Sequence, residues 1–360
     1  MKKLDIYIIK KFLGTFFFII SLFIVISIVF DISEKLDDFL DRDAPLKAIV
    51  FEYYLSFVPW LYSILSSLLI FLAVILFTSL MASRNEIIAI LSSGVSFNRF
   101  LLPYAVSATI LFIVSVTLNN FVIPKTNSLK IGFEEKYYHT RGNIDQSDNF
   151  HRQIADDAYI YIKSYNIHKF VGYKVALKEF ENGEIKSFLR ASQMKYDTLS
   201  NKWRLENYHI RYFEPDGTER IETGMYKDTT INLIPKDLEF RESNTTALNY
   251  FELKEYIAEE TRKGSTQVPF YEFEHYKRFA LPFSIFPLTL IAVSFSSRKM
   301  KKGLGTHLTV GICLGAIYVF LGKIAEVFTV KAGMPADWAV WTPNILFSII
   351  AVIAYRQTPK

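Results

Sequence analysis

The sequence predicts a polytopic α-helical membrane protein, with six transmembrane helices and an inserted all-β, jelly-roll-like domain. Three observations carry this. Six apolar blocks approach or exceed the roughly 18 residues that read as a membrane span. They fall as three before and three after one polar stretch, residues 125–274. That stretch holds no helix-period segment of useful length between residues 158 and 240, only strand-like runs separated by turn signals. The expected division is 1–124 for helices one to three, 125–274 for the β domain with a following helix, and 275–360 for helices four to six.

Composition agrees. Of 360 residues, 51% are hydrophobic, 32 are Phe and 21% are charged, and mean hydropathy is +0.19. The apolar residues sit in blocks, as lipid requires. Cys313 is the single cysteine, so no intrachain disulfide is possible. The net charge of +5 does not call for nucleic acid, because its most ordered part lies at the ends of the apolar blocks, where basic clusters set orientation.

The chain opens with Lys2, Lys3, Lys10 and Lys11 interleaved with aliphatics, a segment suited to an anionic inner surface. Residues 12–30 are free of charge, too long a run for a cleaved signal peptide, and form span one. Residues 31–47 read as a short acidic loop. Residues 53–83 carry no charge over 31 positions, more than the apolar core needs, so span two tilts or emerges as helix. Tyr53, Tyr54, Trp60 and Tyr62 resemble an interfacial belt. Span three is 100–124.

In the polar stretch, residues 158–165, 170–180 and 203–213 have strand composition with partial period-two alternation. Asn182-Gly183 and Asp216-Gly217 stand between strand-like runs, a strong hairpin signal. An antiparallel sandwich or jelly roll follows. Residues 248–263 have helical period and end at Gly264. Span four is 279–297, then a basic loop at 298–302. Span five runs from about 304 to 330, broken by Lys323 and Glu326, whose spacing makes a local helix pair. Span six is 338–355.

Basic ends mark the cytoplasmic side. The N-terminus, the 84–99 loop, the 298–302 loop and the C-terminus are basic. The acidic loop, the polar domain and the 331–337 loop alternate with them. Six spans with both termini inside satisfy every loop and put the polar domain outside the cytoplasm.

Catalytic motifs are sparse. The G-x-x-x-x-G-K-[ST] phosphate loop and the G-x-S-x-G elbow are absent. His139, His151, His168, His209, His275 and His307 lack metal-ligand spacing. Asp156-Asp157 and Glu134-Glu135 are adjacent carboxylates best placed on a solvated surface. The expectation is no enzyme and no cofactor.

Residues 83–96, SRNEIIAILSSGVS, are more informative. Ser83 and Glu86 have capping-box spacing. Ile87, Ile88, Ile90 and Leu91 follow at helical spacing, and Gly94 is placed to end the helix in a left-handed conformation. The result is a short amphipathic helix, which either lies on lipid or docks its apolar face in a groove of a cytoplasmic partner.

RNEIIAILSSGVS resembles the cytoplasmic coupling segment of the lipopolysaccharide export permeases, the LptF/LptG family. YIIKKF at residues 7–12 resembles the family's opening, NNFVIPKTN at 119–127 its exit from span three, and EHYKRFALP at 274–282 its start of span four. Residues 298–303 and WTPN at 341–344 resemble the later loop and the start of span six. The resemblance covers the whole membrane part and is weak across the central domain, where order and strand content match.

The resemblance implies a permease subunit of an ABC-type exporter in a bacterial inner membrane. It would pair with a second permease, identical or related, and be driven by a separate cytoplasmic ATPase dimer. The substrate would be lipopolysaccharide, passed by a periplasmic β-jellyroll to a protein bridge toward the outer membrane. Glu86, Ile87, Leu91 and Gly94 then form the ATPase-coupling segment, with Glu86 either pairing with a basic residue there or only capping. Lys35, Arg42 and Lys323 form the basic part of a lipid entrance, although the outer end of span one is more acidic than a phosphate-binding entrance leads one to expect. Tyr159, Tyr161, Tyr212 and Phe213 are candidates for an apolar channel in the β domain, against the alternative of a solid sandwich core. Two rivals remain. An ion-coupled lipid or polymer permease would need intramembrane acids, of which only Glu326 qualifies. A non-transport scaffold has no need for the short helix at 83–94.

Overall fold

The computed structural model describes residues 3–137, 150–166, 169–198, 200–214, 217–238, 242–298 and 304–358. Among the described residues six helices are long and apolar enough to cross a membrane, three before and three after a six-stranded antiparallel sheet in chain order. The chain divides into two compact units, one built on these helices and one on the sheet.

In the helical unit, α1 runs unbroken over Lys3–Asp41. Asp5, Ile8, Phe12, Phe16, Ile19 and Ile20 turn inward at three- and four-residue spacing, while Phe17, Phe18 and Val25 face out. The predicted acidic loop is therefore shorter than residues 31–47. The helix continues because Asp31 and Lys35 pair across one turn at 2.9 Å and because Phe39 is buried edge-on against Tyr53 and Phe133. The reversal occurs only at Asp43, which takes a positive φ of 49°.

The second span rises through α2 (Leu46–Ala48), a π-helical segment (Ile49–Tyr54) and α3 (Leu55–Ser83). Tyr53 is fully buried with Phe57 and Phe133, so it is an internal cluster residue and no part of an interfacial belt. The short α4 (Glu86–Ser92) leads to α5 (Phe97–Thr117), a π-helical segment (Leu118–Val122) and α6 (Ile123–Tyr137). The helix thus passes residue 124, where the sequence placed the domain boundary. Phe133, packed on Phe39 and Tyr53, holds this extension to the helical unit.

In the sheet unit, β1 (Phe150–Ala155), β2 (Ala158–Asn166), β3 (Val171–Glu181), β4 (Glu184–Asp197), β5 (Lys202–Phe213) and β6 (Glu219–Thr229) lie in chain order. Asn182 and Gly183, at φ 53° and 84°, make the predicted tight turn between β3 and β4. Asp216 of the second predicted turn lies outside the described residues. Gly217 (φ 82°) and the bond from Glu214 N–H to Thr218 O (3.0 Å) belong to that connection.

One face of the sheet packs around Ile160, Ile162, Leu189, Met194, Trp203, Leu205 and Ile210. The Trp203 indole N–H donates to Leu233 O at 2.7 Å, which lets a polar edge sit in an apolar core. Alternation is partial for a structural reason. Lys163, Lys174, Ser192, Asn207 and Met225 form a line across five strands that makes no ladder pair. Lys174 and Asn207 have positive φ, 52° and 49°. Parity flips there: β4 buries Leu189 and Ala191 before the line and Met194 after it, and β5 buries Trp203 and Leu205 before it and Ile210 after it. The interruption acts as a bulge does, re-aiming side chains so that one face stays buried.

The chain continues through a 3-10 turn (Pro235–Leu238), α7 (Glu242–Ala247) and α8 (Tyr250–Arg262), which stops at Gly264 (φ 65°) as expected. Span four is two helices, α9 (Val268–Phe283) and α10 (Ile285–Ser296), broken at Ser284. The break frees the Ala280 carbonyl. Asn344 donates to it at 2.7 Å, while Leu281 O accepts from Ser67 Oγ at 3.1 Å, so these two carbonyls are not stranded in lipid. Two helices complete the unit, α11 (Leu304–Ala332) and α12 (Ala336–Arg356). Gly311 and Gly315 of α11 lie so close to Ile75 and Leu68 of α3 that an added Cβ would overlap them, a small-xxx-small seam. In the predicted basic loop at 298–302, Lys299, Lys301 and Lys302 lie outside the described residues.

Candidate functional site

Three places collect the residues singled out by the sequence. The first is the turn between α3 and α5. Ser83 is the last residue of α3 and its hydroxyl donates back to Leu80 O at 2.8 Å, so the capping box does not form. Asn85 is the residue before α4 instead, in the left-handed region at φ 60°. The link from α3 to α4 is only Arg84 and Asn85, and a turn that short leaves Ser83 on helical backbone. The other end is as predicted. Gly94, at φ 85°, donates its N–H to Leu91 O at 3.1 Å and ends the helix.

The amphipathic face of α4 is divided. Ile87 is buried, packed against the chain's own helices, and Leu91 is half-buried against them. Ile88 is 54% exposed, and Ala89 and Ser92 beside it are open. Glu86 is half-buried and accepts a hydrogen bond from the Tyr7 hydroxyl at 2.9 Å. Sequence spacing finds this helix and cannot divide its apolar residues between an inner and an outer face, because both patterns repeat every three to four residues.

The second place is the cluster around Lys35. Its ammonium pairs with Asp31 at 2.9 Å, donates to the Tyr53 hydroxyl and stands 3.9 Å from Glu134. Tyr53 and Tyr54 in turn donate to the two Asp31 oxygens, at 3.1 and 3.2 Å. Lys130 pairs with Glu134 at 2.9 Å and lies over the Trp60 ring at 4.7 Å. The Lys35 side chain is only 13% exposed. Two lysines against two carboxylates leave a neutral cluster, so Lys35 is a bonded internal group here. Arg42 is half-buried just beyond α1. Lys323 differs. It pairs with Glu326 at 2.8 Å, as its spacing predicted, and its side chain remains 67% exposed.

The third place is the sheet face opposite the packed core. A groove of about 1060 Å³ opens there. Tyr159 and Tyr161 line it, Tyr159 edge-on to Phe180 at 5.7 Å and Tyr161 against His151 at 4.5 Å. Phe213 is on the same face by parity, with the Arg211 guanidinium 5.4 Å from its ring. Tyr212 points to the packed face, where it bonds Glu222 at 3.2 Å. It is therefore part of the filled side, because neighbouring strand residues face opposite ways.

Sequence reasoning missed the cationic part of the groove. Lys178 and Arg190 lie 5.6 and 4.8 Å from the Phe188 ring, and Lys174 and His209 add to the lining, with Asp157 as its acidic member. Counting back from the Asn182-Gly183 turn could not have found it: simple hairpin register sets Lys178 opposite Ser187, and only a register shift between Glu179 and Phe180 brings Lys178 opposite Phe188 and Ala176 opposite Arg190. Aromatic rings beside guanidinium and ammonium groups can hold apolar chains and anionic groups together. On the other face, Gly224 lies flat under the Tyr208 ring, where a Cβ would sit 2.7 Å from its hydroxyl, and that hydroxyl reaches Glu222 at 3.1 Å. The Lys227 ammonium, 2.8 Å from Glu222, holds that carboxyl below the usual range.

Comparison with known proteins covers both units. The family model described as lipopolysaccharide export system permease LptF/LptG matches residues 6–357. The chain is 24% identical over 287 residues to the lipopolysaccharide export system permease protein LptG of Haemophilus influenzae, an alignment covering 75% of each chain.

Proposed function

Since this chain belongs to the lipopolysaccharide export system permease LptF/LptG family, a transport family and not a catalytic one, we propose that it is one permease subunit of an ABC-type exporter, driven by a separate ATPase dimer. It is a multi-pass inner-membrane protein whose family exports lipopolysaccharide. A second permease, identical or related, completes the membrane pair. The termini and α4 face the cytoplasm and the sheet unit faces the periplasm, in keeping with the basic ends of the spans.

The observation that carries the coupling role is α4. It is a two-turn helix on the short link between spans two and three, with Ile87 anchored inward and Ile88, Ala89 and Ser92 left open. An exposed isoleucine on a fixed helix suits a groove in a partner. Lipid then meets Lys323 and Arg42 at the entrance, with Lys35 as a structural neighbour, and its acyl chains and phosphates are received by the aromatic and cationic groove of the sheet. Among the described residues β6 pairs on one side only, and Ile221, Met225 and Tyr226 on it are exposed. This open edge suits addition of a strand from a bridge protein.

The test is co-purification in mild detergent. Ile88→Asp and Glu86→Arg should leave the chain inserted and lower ATPase recovery several-fold. Undiminished recovery with both variants would overturn the coupling role of α4.

A further inference from the structure

We infer that the first two turns of α1 form a strut that ties the α4 turn to span one, with Tyr7 and Asp5 as positioning residues for transport. The inference rests on the reading of α4 as the ATPase contact.

Two polar contacts define it. The Tyr7 hydroxyl donates to Glu86 at 2.9 Å, at the start of α4. Asp5, only 2% exposed, accepts both guanidinium N–H groups of Arg99, each at 2.7 Å. Arg99 is in the first turn of α5, whose start is capped by Ser96 accepting from the Arg99 N–H at 3.3 Å. The helix α1 therefore holds the chain on both sides of the α4 turn. Residues two apart on a helix point about 200° away from each other, so the terminus is gripped from two directions and cannot slip by rolling about one contact.

Below these contacts the helix is stiff. Ile8 and Phe12 are fully buried on the Asp5 stripe, and α1 is free of proline over its 39 residues. Its far end is anchored again where Asp31 accepts from Tyr53 and Tyr54 and where Lys35 meets the Tyr53 hydroxyl and Glu134. A rod with polar anchors at both ends carries a displacement along its length, where an apolar contact alone would let the ends slide. A bidentate Arg–carboxylate pair fixes angle as well as distance, and a tyrosine-to-carboxylate bond is charge-assisted. Tyr7 and Asp5 lie on α1 and not among the open residues of α4, Ile88, Ala89 and Ser92, so removing the Tyr7 hydroxyl leaves those residues and the Glu86 carboxylate in place for the partner.

The experiment uses the full complex in proteoliposomes containing lipopolysaccharide. Three quantities are read: ATPase recovery, ATP hydrolysis, and lipopolysaccharide released per ATP. Tyr7→Phe keeps the ring and removes one hydroxyl. It should leave recovery and hydrolysis at the level of the unmodified complex and lower lipid released per ATP several-fold. Asp5→Arg should do the same more severely, and Asp5→Arg combined with Arg99→Asp should restore a large part of the loss. Transfer per ATP unchanged by Tyr7→Phe would overturn the strut. So would a loss of recovery and transfer in equal proportion, since that is the behaviour of a mere scaffold for docking. If the unmodified chain recovers no ATPase, the reading of α4 falls, and the strut with it.

Discussion

The helical unit and the sheet unit both bury apolar cores but differ in what they leave at the surface. On α11, Phe320 is 66% exposed, while in the sheet Trp203 is 1% exposed with its N–H bonded. Several ion pairs run the other way, with Arg152–Glu260 an enclosed exception in the sheet unit and Lys323–Glu326 an exposed one in the helical unit. In the helical unit Asp5, Asp31, Lys35 and Lys130 are largely enclosed, whereas the sheet pairs Arg204–Asp228 and Arg211–Glu219 are roughly half exposed. The difference follows from the solvent each unit meets. Lipid tolerates apolar faces and punishes an unpaired polar group, so polar side chains there are turned inward and joined. Water drives apolar rings into one packed face and leaves surface charges nearly indifferent to pairing.

The largest expected effect tests the apolar half of this contrast. Trp203→Ala should cost about 3–5 kcal/mol through cavity formation, while Phe320→Ala should change stability by less than about 0.5 kcal/mol. Thermal unfolding of the full chain in detergent reads both. An equally large loss from Phe320→Ala would mean that protein rather than lipid covers the outer face of α11.

The next effect separates two lysines that look alike in sequence. Lys35→Met removes the cation from an enclosed cluster and should cost about 3 kcal/mol, because Asp31 is left short of its partner. Lys323→Met should stay within about 0.5 kcal/mol, being an exposed pair, yet lower photo-crosslinking to lipopolysaccharide. Reversed results would exchange the structural and entrance roles of the two positions.

The smallest effect is pH dependence in the sheet unit. The Arg204 guanidinium holds the Asp228 carboxyl below its usual range, and Lys227 does the same for Glu222. A carboxyl depressed in the folded state adds stability above its unfolded pKa, and that stability is lost as pH falls through the folded value. The melting temperature of the sheet unit should therefore drop slightly between about pH 5 and pH 3, and Asp228→Asn should flatten that drop. Added salt should shrink it, as these pairs face solvent.

Much of the fold was legible because it is set by local rules. Block length marks six spans. Asn182-Gly183, Gly94 and Gly264 announce turns that need positive φ, and each takes it. The i,i+3 spacing of Lys323 and Glu326 gives their pair. The end of α1 was not legible in this way. Residues 31–41 look like part of an acidic loop along the chain, yet they are helical because Phe39 meets Tyr53 and Phe133 from two other segments. No window of sequence contains that contact.

The sequence by itself determined the number of spans, the inserted β domain and the short helix between spans two and three, since these depend on periodicity and on the conformational demands of single residues. Only the tertiary structure decided which side of α4 is open, that Lys35 is enclosed while Lys323 is not, that Tyr159 and Tyr212 serve opposite faces, and that Asp5 and Tyr7 reach Arg99 and Glu86. The enclosure of Lys35 and the reach of Tyr7 and Asp5 depend on groups 18, 79 and 94 positions away brought within a few ångströms, and such pairings are fixed by packing geometry, which leaves no trace in local pattern.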